Sequence, residues 1–428
     1  MKESVFFDFL KENGIPAENK RVKNIVMDSK KIESGDIFIA IRGGNNYIKE
    51  AFVSGASFVV YDNQEIDYPD QNAIKVKDSV EFLQKMAKYY REKLNLMVIG
   101  ITGSNGKTTT KDILYTILSS VMKGKKTEGN YNNHIGLPFT MMRAEEDDEF
   151  IILEMGMSGF GEIELLSQIA QPDHGIITNI GHSHLEHLKT RENIYKAKTE
   201  IVPFIKKKVV VNGDDEFLKR VNGIKAGIGT ENDYFAENIE GTEDGSRFIL
   251  NAKGKQYSVT VNLAGNHNIA NVVTAIACAA EAGISVEKSI EAVKEVAVSK
   301  MRFEKIEKDG IIYINDAYNA SPMSMKCSIE TFSNLYNDKV KIAVLGDMLE
   351  LGSESPKLHK EIKNVLDNAK VDIVMLYGEM MRELYNELGE EALYFTEKSD
   401  IKSKIKSIKG EKVVLLKGSR GMRLEEVI

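Results

Sequence analysis

The chain has 428 residues, a formal net charge of −7, 42% hydrophobic and 28% charged residues, a length that makes room for about two to four domains with separate apolar cores. The acidic balance argues against a nucleic-acid partner. Two cysteines, Cys278 and Cys327, with no CxxC spacing argue against a disulfide framework or a thiolate zinc site and fit a reducing compartment.

Residues 1–13 mix Lys2, Glu3, Asp8, Lys11 and Glu12 with apolar side chains, which predicts an amphipathic helix and not a signal peptide. No apolar run approaches the roughly 20 residues that span a bilayer, so a cytoplasmic protein without a membrane segment is expected. The first block, residues 1–92, carries β-like runs at 36–41 and 56–61. It closes on a helix over 79–94, with Phe82, Leu83, Met86 and Tyr89 on one side.

The second block, residues 93–299, opens with an apolar strand over 95–101 that runs into Thr102-Gly-Ser-Asn-Gly-Lys-Thr-Thr109. A strand, a glycine turn and Lys-Thr opening a helix form a nucleotide phosphate site. Gly103 and Gly106 let backbone N–H groups converge on anionic oxygens, Lys107 reaches terminal phosphates, and the Thr108 hydroxyl suits Mg²⁺. The spacing is shorter than G-x-x-x-x-G-K-[ST], since Ile101 stands where the first glycine belongs. Ile113, Leu114, Ile117, Leu118 and Val121 give the following helix one apolar face. Strands over 150–153, 175–177 and 208–211 alternate with amphipathic segments, the pattern of a largely parallel sheet, and helices over 268–282 and to about 299 complete the block. The third block, residues 300–428, places strands at 311–314, 342–345, 373–376 and 413–416, with helices between several of them. The lysine-rich run 398–412 reads as a solvated helix face.

Polar residues stand at the ends of these strands: Glu154, Asn179, Asp316, Asp347 and Lys417. Singly, each serves as a turn or cap. Together they predict ligand crevices beyond the carboxyl ends of two parallel sheets, facing each other across a cleft. Glu154 lies where nucleotide enzymes place an acid for Mg²⁺, with helix capping as the alternative. His182, His184 and His187 alternate on a loop instead of forming an i, i+4 pair, which favours a single metal- or substrate-facing histidine over zinc. Asn266, Asn268 and Asn271 open an alanine-rich helix, either as caps or as the paired donors and acceptors that an adenine edge needs.

These residues resemble the Mur ligase family, the ATP-dependent amide-forming enzymes of peptidoglycan precursor synthesis. The family's loop pattern, T-G-[ST/N]-x-G-K-[ST]-[ST], matches residues 102–109 and accounts for the shortened spacing. Further family motifs follow in order: Thr127-Glu-Gly-Asn-Tyr-Asn-Asn-His134, Glu154-Met-Gly-Met-Ser158, Asn179-Ile-Gly-His-Ser-His184, Lys196-Ala-Lys198, Gly265-Asn-His-Asn-Ile-Ala-Asn271, Arg302-Phe-Glu304 and Leu415-Leu-Lys-Gly-Ser-Arg420. Asp316-Ala-Tyr-Asn-Ala-Ser-Pro-Met-Ser-Met325 is similar to the run of the dipeptide-adding member, and the Asp-Asn-Pro-Arg signature of the amino-acid-adding ligases is absent. Asp28-Ser-Lys-Lys-Ile-Glu-Ser-Gly-Asp-Ile-Phe38 resembles the run that holds the UDP-sugar end, with Lys30 in place of the usual arginine. After it, Gly43-Gly-Asn-Asn-Tyr-Ile48 lacks the commoner Asp-Gly-His.

The resemblance implies three α/β domains: a small N-terminal UDP-substrate domain (1–92), a central P-loop ATPase-like parallel-sheet domain (93–299) and a C-terminal Rossmann-like domain (300–428). It also implies ATP, two Mg²⁺ sites and a CO₂-derived carbamate on Lys198. Gly103, Ser104, Asn105, Gly106, Lys107, Thr108 and Thr109 would hold the phosphates, with Arg302 reaching them from the neighbouring domain. Thr108 and Glu154 would hold the first Mg²⁺, His184 and carbamylated Lys198 the second. Asn268 and Asn271 would face adenine and Asp316 the ribose. Lys107, Glu154, His184, Lys198 and Arg302 make up the implied catalytic set. Asp28, Ser29 and Lys30 would take the UDP-sugar end. Asn132, Asn133, Tyr318 and Asn319 are further implied substrate contacts, and Lys417, Ser419 and Arg420 lie where the incoming dipeptide is placed. The implied reaction transfers the γ-phosphoryl group of ATP to the terminal carboxylate of UDP-N-acetylmuramoyl-tripeptide, and D-alanyl-D-alanine then attacks the acyl phosphate. Carbamylation needs a neutral amine, so a Lys198 pKa below lysine's usual value of about 10.4 is expected. A monomer is expected. An amino-acid-adding Mur ligase or a folylpolyglutamate-synthetase-like ligase is the alternative.

Overall fold

Three sheets succeed one another along the chain in the computed structural model, which describes residues 3–18, 20–297 and 299–428. The first is a four-stranded parallel sheet, Ile25–Val26, Ile37–Ile39, Phe58–Tyr61 and Ala73–Lys75 in that order. Helix Glu3–Glu12 buries Val5, Phe6, Phe9 and Leu10, as its apolar spacing requires. Phe6 and Phe9 meet Phe58 and Phe82 edge to face, tying that helix to the sheet and to helix Ser79–Lys93. Asp78 accepts the Val80 and Glu81 N–H groups, which fixes the start of the latter helix.

The central sheet has nine strands, and its middle is parallel: Lys208–Asn212, His174–Ile177, Met97–Thr102, Phe150–Glu154 and Gly124–Lys126 lie side by side. Strands Tyr234–Thr242, Gly245–Ala252 and Lys255–Val261 extend one edge as an antiparallel meander. Sequence periodicity did not single them out, because their alternating exposure looks like polar loop until each strand has a partner. Helix Asn266–Glu281 packs along helix Lys107–Ser119, and most of its side chains are buried.

Six strands form the C-terminal sheet in the order Glu304–Lys308, Ile311–Asp316, Lys412–Lys417, Val340–Gly346, Ile373–Tyr377 and Ala392–Phe395, all parallel except the first. Register aligns the strand ends that matter. Glu154 lies opposite Ile101, just before the phosphate loop, and Ile177 lies opposite Thr102. In the last sheet, Asp316 lies opposite Lys417. The carboxyl ends of both large sheets therefore carry polar groups to one cleft. No helix among the described residues is long and apolar enough to cross a membrane.

Candidate active site

Strand Met97–Thr102 ends in a loop that only small residues permit. Gly103 (φ +144°) and Gly106 (φ +82°) occupy the region that favours glycine. A Cβ on Gly103 would stand 1.9 Å from Thr178 Oγ1, and one on Gly106 would stand 2.6 Å from Asn271 Oδ1. The loop after strand His174–Ile177 holds it in place. Asn179 O accepts the Ser104 N–H (2.9 Å), and Asn179 Oδ1 accepts the Asn105 N–H (3.0 Å). Thr178 Oγ1 donates to Asn105 O (2.5 Å), and the Gly181 N–H donates to Ser104 Oγ (2.8 Å). Among the described residues no side chain caps the first N–H groups of helix Lys107–Ser119, which leaves them available to an anion. Lys107 Nζ folds back to donate to Gly103 O (2.8 Å), and burial holds its pKa below the usual lysine value, partly opposed by the Glu154 carboxylate.

Glu154 closes its strand with its side chain 5% exposed. Its Oε2 accepts from Thr108 Oγ1 (2.9 Å) and its Oε1 from Asn132 Nδ2 (3.0 Å), while Lys111 Nζ stands 3.8 Å from Oε2. A hydroxyl and a carboxylate oxygen this close are a donor pair suited to a hard cation. Arg302 reaches in from the C-terminal domain: its Nη2 donates to Thr108 Oγ1 (2.9 Å), and its guanidinium lies 4.2 Å from the Tyr318 ring centre. Ser321, the cap of helix Pro322–Asn334, donates to Asn105 Oδ1 (3.0 Å). Two domains thus meet on the tip of the phosphate loop.

Between them lies a cleft of about 1110 Å³. The loop from Ser104 to Thr109 lines it, with Asn132, Asn133, Glu154, His184, Asn268, Asn271, Arg302, Asp316, Tyr318, Asn319 and Lys417. Asn105 Nδ2, His182 Nδ1 and Ser183 Oγ are buried at this cleft without a partner among the described residues. Orphaned polar atoms here are groups left for a ligand to satisfy.

Other sequence-predicted residues stand elsewhere or are already engaged. Lys198, in helix Arg191–Thr199, is 1% exposed and does not line the cleft. Burial, reinforced by the Lys107 cation, holds its amine well below the usual lysine pKa. His184 takes a left-handed backbone (φ +65°), and its Nδ1 lies 3.0 Å from Glu350 Oε2 of the C-terminal domain. That hydrogen bond to His184 holds the Glu350 carboxyl below its usual value. Both Asp316 oxygens are occupied: Oδ1 accepts the Phe303 N–H (3.2 Å), and Oδ2 accepts Lys417 Nζ (2.7 Å) and the Ser328 hydroxyl. Asn268 Nδ2 donates to Ala264 O (2.9 Å). Ser419 and Arg420 line a smaller pocket of about 160 Å³ that adjoins the cleft; Lys417 does not line this pocket. Asp28, Ser29 and Lys30 lie in the N-terminal domain, outside both cavities, where Asp28 accepts the Lys30 N–H (3.1 Å). Sequence reading passed over Glu350 and singled out Asp347 three residues before it. The signal in reach was the position of both after an apolar parallel strand.

Residues 101–279 match the Mur ligase middle domain and residues 301–420 match the Mur ligase, glutamate ligase domain. A Bacillus subtilis (strain 168) protein named UDP-N-acetylmuramoyl-tripeptide--D-alanyl-D-alanine ligase is 39% identical over 96% of this chain and 93% of its own length. MurF from Acinetobacter baumannii superposes with a TM-score of 0.89 at 28% identity, covering 97% of this chain and 94% of that one. MurF ligase from Thermotoga maritima, solved in complex with ADP, gives a TM-score of 0.86 at 29% identity over 95% of this chain and 96% of that one. Domain matches across both large lobes and a relative aligned along nearly the whole length place this chain in the Mur ligase family.

Proposed function

We propose that this chain is the cytoplasmic ATP-dependent ligase that joins D-alanyl-D-alanine to UDP-N-acetylmuramoyl-tripeptide, giving the UDP-linked pentapeptide, ADP and phosphate. The observation that carries this reading is the meeting of Arg302, Thr108 and Glu154 across two lobes. Relatives named for that reaction, aligned over 96% of the chain, support the choice of substrates.

An ionised carboxylate is a poor electrophile. In this reading the tripeptide's terminal carboxylate oxygen attacks the γ-phosphorus of ATP, and the bond to ADP breaks. The dipeptide amine then attacks the acyl carbon, and phosphate departs with the electrons of the C–O bond. The first step drives an anion toward a polyanion, so positive charge must already be in place. Lys107 and the uncapped N–H groups of helix Lys107–Ser119 supply it from one lobe, Arg302 from the other. Thr108 and Glu154 fit one Mg²⁺; His184 and a carbamate on Lys198 would hold a second only once both face the cleft, since Lys198 is buried away from it and His184 is bonded to Glu350. Such ions would supply charge neutralisation. The depressed pKa of Lys198 favours the neutral amine, which adds to CO₂ with loss of a proton to leave an anionic carbamate. Asn268, Asn271 and Asp316 take the adenosine, Asn132, Asn133, Tyr318 and Asn319 the peptide end, and Asp28, Ser29 and Lys30 the UDP end.

Phosphate release, measured with lysine- or diaminopimelate-containing tripeptide and each candidate amine, tests the reading. Release that requires D-alanyl-D-alanine, with ¹⁸O from the substrate carboxylate appearing in the phosphate, is expected. Release driven instead by a single amino acid or glutamate overturns it.

A further inference from the structure

The pocket of about 160 Å³ shares Ser183, Asn319 and Glu350 with the large cleft. Two of its lining side chains are ionic: Glu350, which also lines the cleft, and Arg420, which lines only the small pocket and is paired with Glu425. The negative group therefore stands where the pocket opens onto the cleft, and the positive group stands away from it. A free dipeptide is a zwitterion with an ammonium at one end and a carboxylate at the other. Entering with its ammonium toward the cleft, it meets complementary charge at both ends.

The backbone at Glu350 is held as a functional group's would be. Its φ of +64° is one that a residue with a side chain rarely adopts, and such strain persists where the surroundings over-determine it. Here a row of anchors does so. The Asp347 carboxylate accepts the Met380 and Met381 N–H groups (3.2 and 2.9 Å), and His359 Nε2 accepts the Met348 N–H (3.0 Å). Ser419 Oγ accepts the Leu349 N–H (2.9 Å), and Glu350 O itself accepts the Glu186 N–H (3.3 Å). The hydroxyl of Ser419 thereby fixes the pocket wall. The Glu350 side chain stays 58% exposed, open to a ligand at the junction.

We propose that Glu350 receives the ammonium of the incoming dipeptide and holds that nitrogen facing the acyl carbon, which it attacks after giving up one proton to solvent, while Arg420, the residue the family resemblance implies there, takes the dipeptide carboxylate. The assignment rests on the reaction proposed above. The competing role for Glu350 is a latch that joins the lobes through His184, and the two roles separate in one experiment.

The full-length enzyme, saturated with ATP, Mg²⁺ and UDP-tripeptide, is offered either D-alanyl-D-alanine or hydroxylamine as the nucleophile. Hydroxylamine is uncharged near neutral pH and traps the acyl phosphate as a hydroxamate without needing an ammonium site. In Glu350→Gln, kcat/KM for the dipeptide falls about 30-fold relative to hydroxylamine, mostly through KM. Glu350→Asp recovers part of the loss. An equal fall for both nucleophiles makes Glu350 a latch and overturns the proposal, as does no fall in either. A wild-type enzyme that forms hydroxamate yet ignores the dipeptide sinks the proposed function, and this assignment with it. Wild-type turnover of the dipeptide with an indifferent Glu350→Gln sinks this assignment alone.

Discussion

At the scale of the residue, Lys198 is where burial and charge do the most. A lysine shut from water beside the Lys107 cation loses its proton readily, and in the proposed reaction that neutral amine becomes an anion by taking up CO₂. Lys198→Ala therefore loses ligase activity by several orders of magnitude, and added short carboxylates restore part of it. In the wild type, ¹³C-bicarbonate gives a carbamate carbon resonance that the variant lacks. His267, in the wall of the large cleft, yields a stability prediction. Burial pushes its pKa from 6.5 down to about 4, against the Asp316 carboxylate. The unfolded chain then binds a proton that the folded chain refuses. Stability from this group is whole above pH 6.5 and is lost as pH falls toward 4, by at most about 3 kcal/mol and less where water reaches the ring. Denaturant titrations from pH 7.5 to 5 show a flatter acid-side slope in His267→Gln. The grouping of Lys107, Thr108 and Glu154 at one strand end follows from local pattern and was legible in the sequence. Asp316 was legible as a strand-end acid, but its capture by Lys417 depends on a strand pairing across 101 positions that no local pattern records.

At the scale of the element, parallel strands declared themselves as short apolar runs closed by a polar residue. The expected strand over 413–416 is Lys412–Lys417, and that over 342–345 is Val340–Gly346. Their ends extend because the ladder continues into polar residues that periodicity cuts off. The meander from Tyr234 to Val261 stayed hidden for the opposite reason: its exposed face is polar, and each strand earns its hydrogen bonds from a neighbour. The helix expected to run to about 299 stops at Val293, where the chain turns toward the C-terminal domain. The phosphate loop is the element whose shape tolerates least. Gly103→Ala would place a methyl 1.9 Å from Thr178 Oγ1, in a backbone conformation alanine avoids. The loop must move, and the Thr178 and Asn179 contacts that orient its N–H groups go with it. Nucleotide affinity measured by calorimetry falls at least about 100-fold, whereas the rest of the sheet, built on other strands, melts within a few degrees of the wild type.

At the scale of the whole molecule, the site lies where polar groups of two lobes meet above an apolar cluster that the lobes share. Arg302 to Thr108, Ser321 to Asn105 and His184 to Glu350 all cross from the central to the C-terminal domain. Each is individually modest, about 1 kcal/mol net, and together they leave Lys107 and Arg302 facing a cleft that negative charge can fill. A Mg²⁺–nucleotide complex supplies that charge and, at about 100 times its dissociation constant, stabilises the folded chain by about 2.7 kcal/mol. In the proposed site, Arg302→Ala removes the guanidinium that the C-terminal domain brings to Thr108. Its ligand-free melting temperature changes little, because one partly exposed hydrogen bond is lost. The rise in melting temperature on adding ADP or ATP with Mg²⁺ shrinks by more than half, and affinity drops about 10- to 100-fold. Arg420→Ala, a change outside the large cleft, keeps the full nucleotide-induced rise. Thermal shift measured for both variants with and without nucleotide checks this. An undiminished shift in Arg302→Ala would mean that the phosphates are neutralised by the central domain alone, and that the C-terminal lobe serves only the acceptor amine.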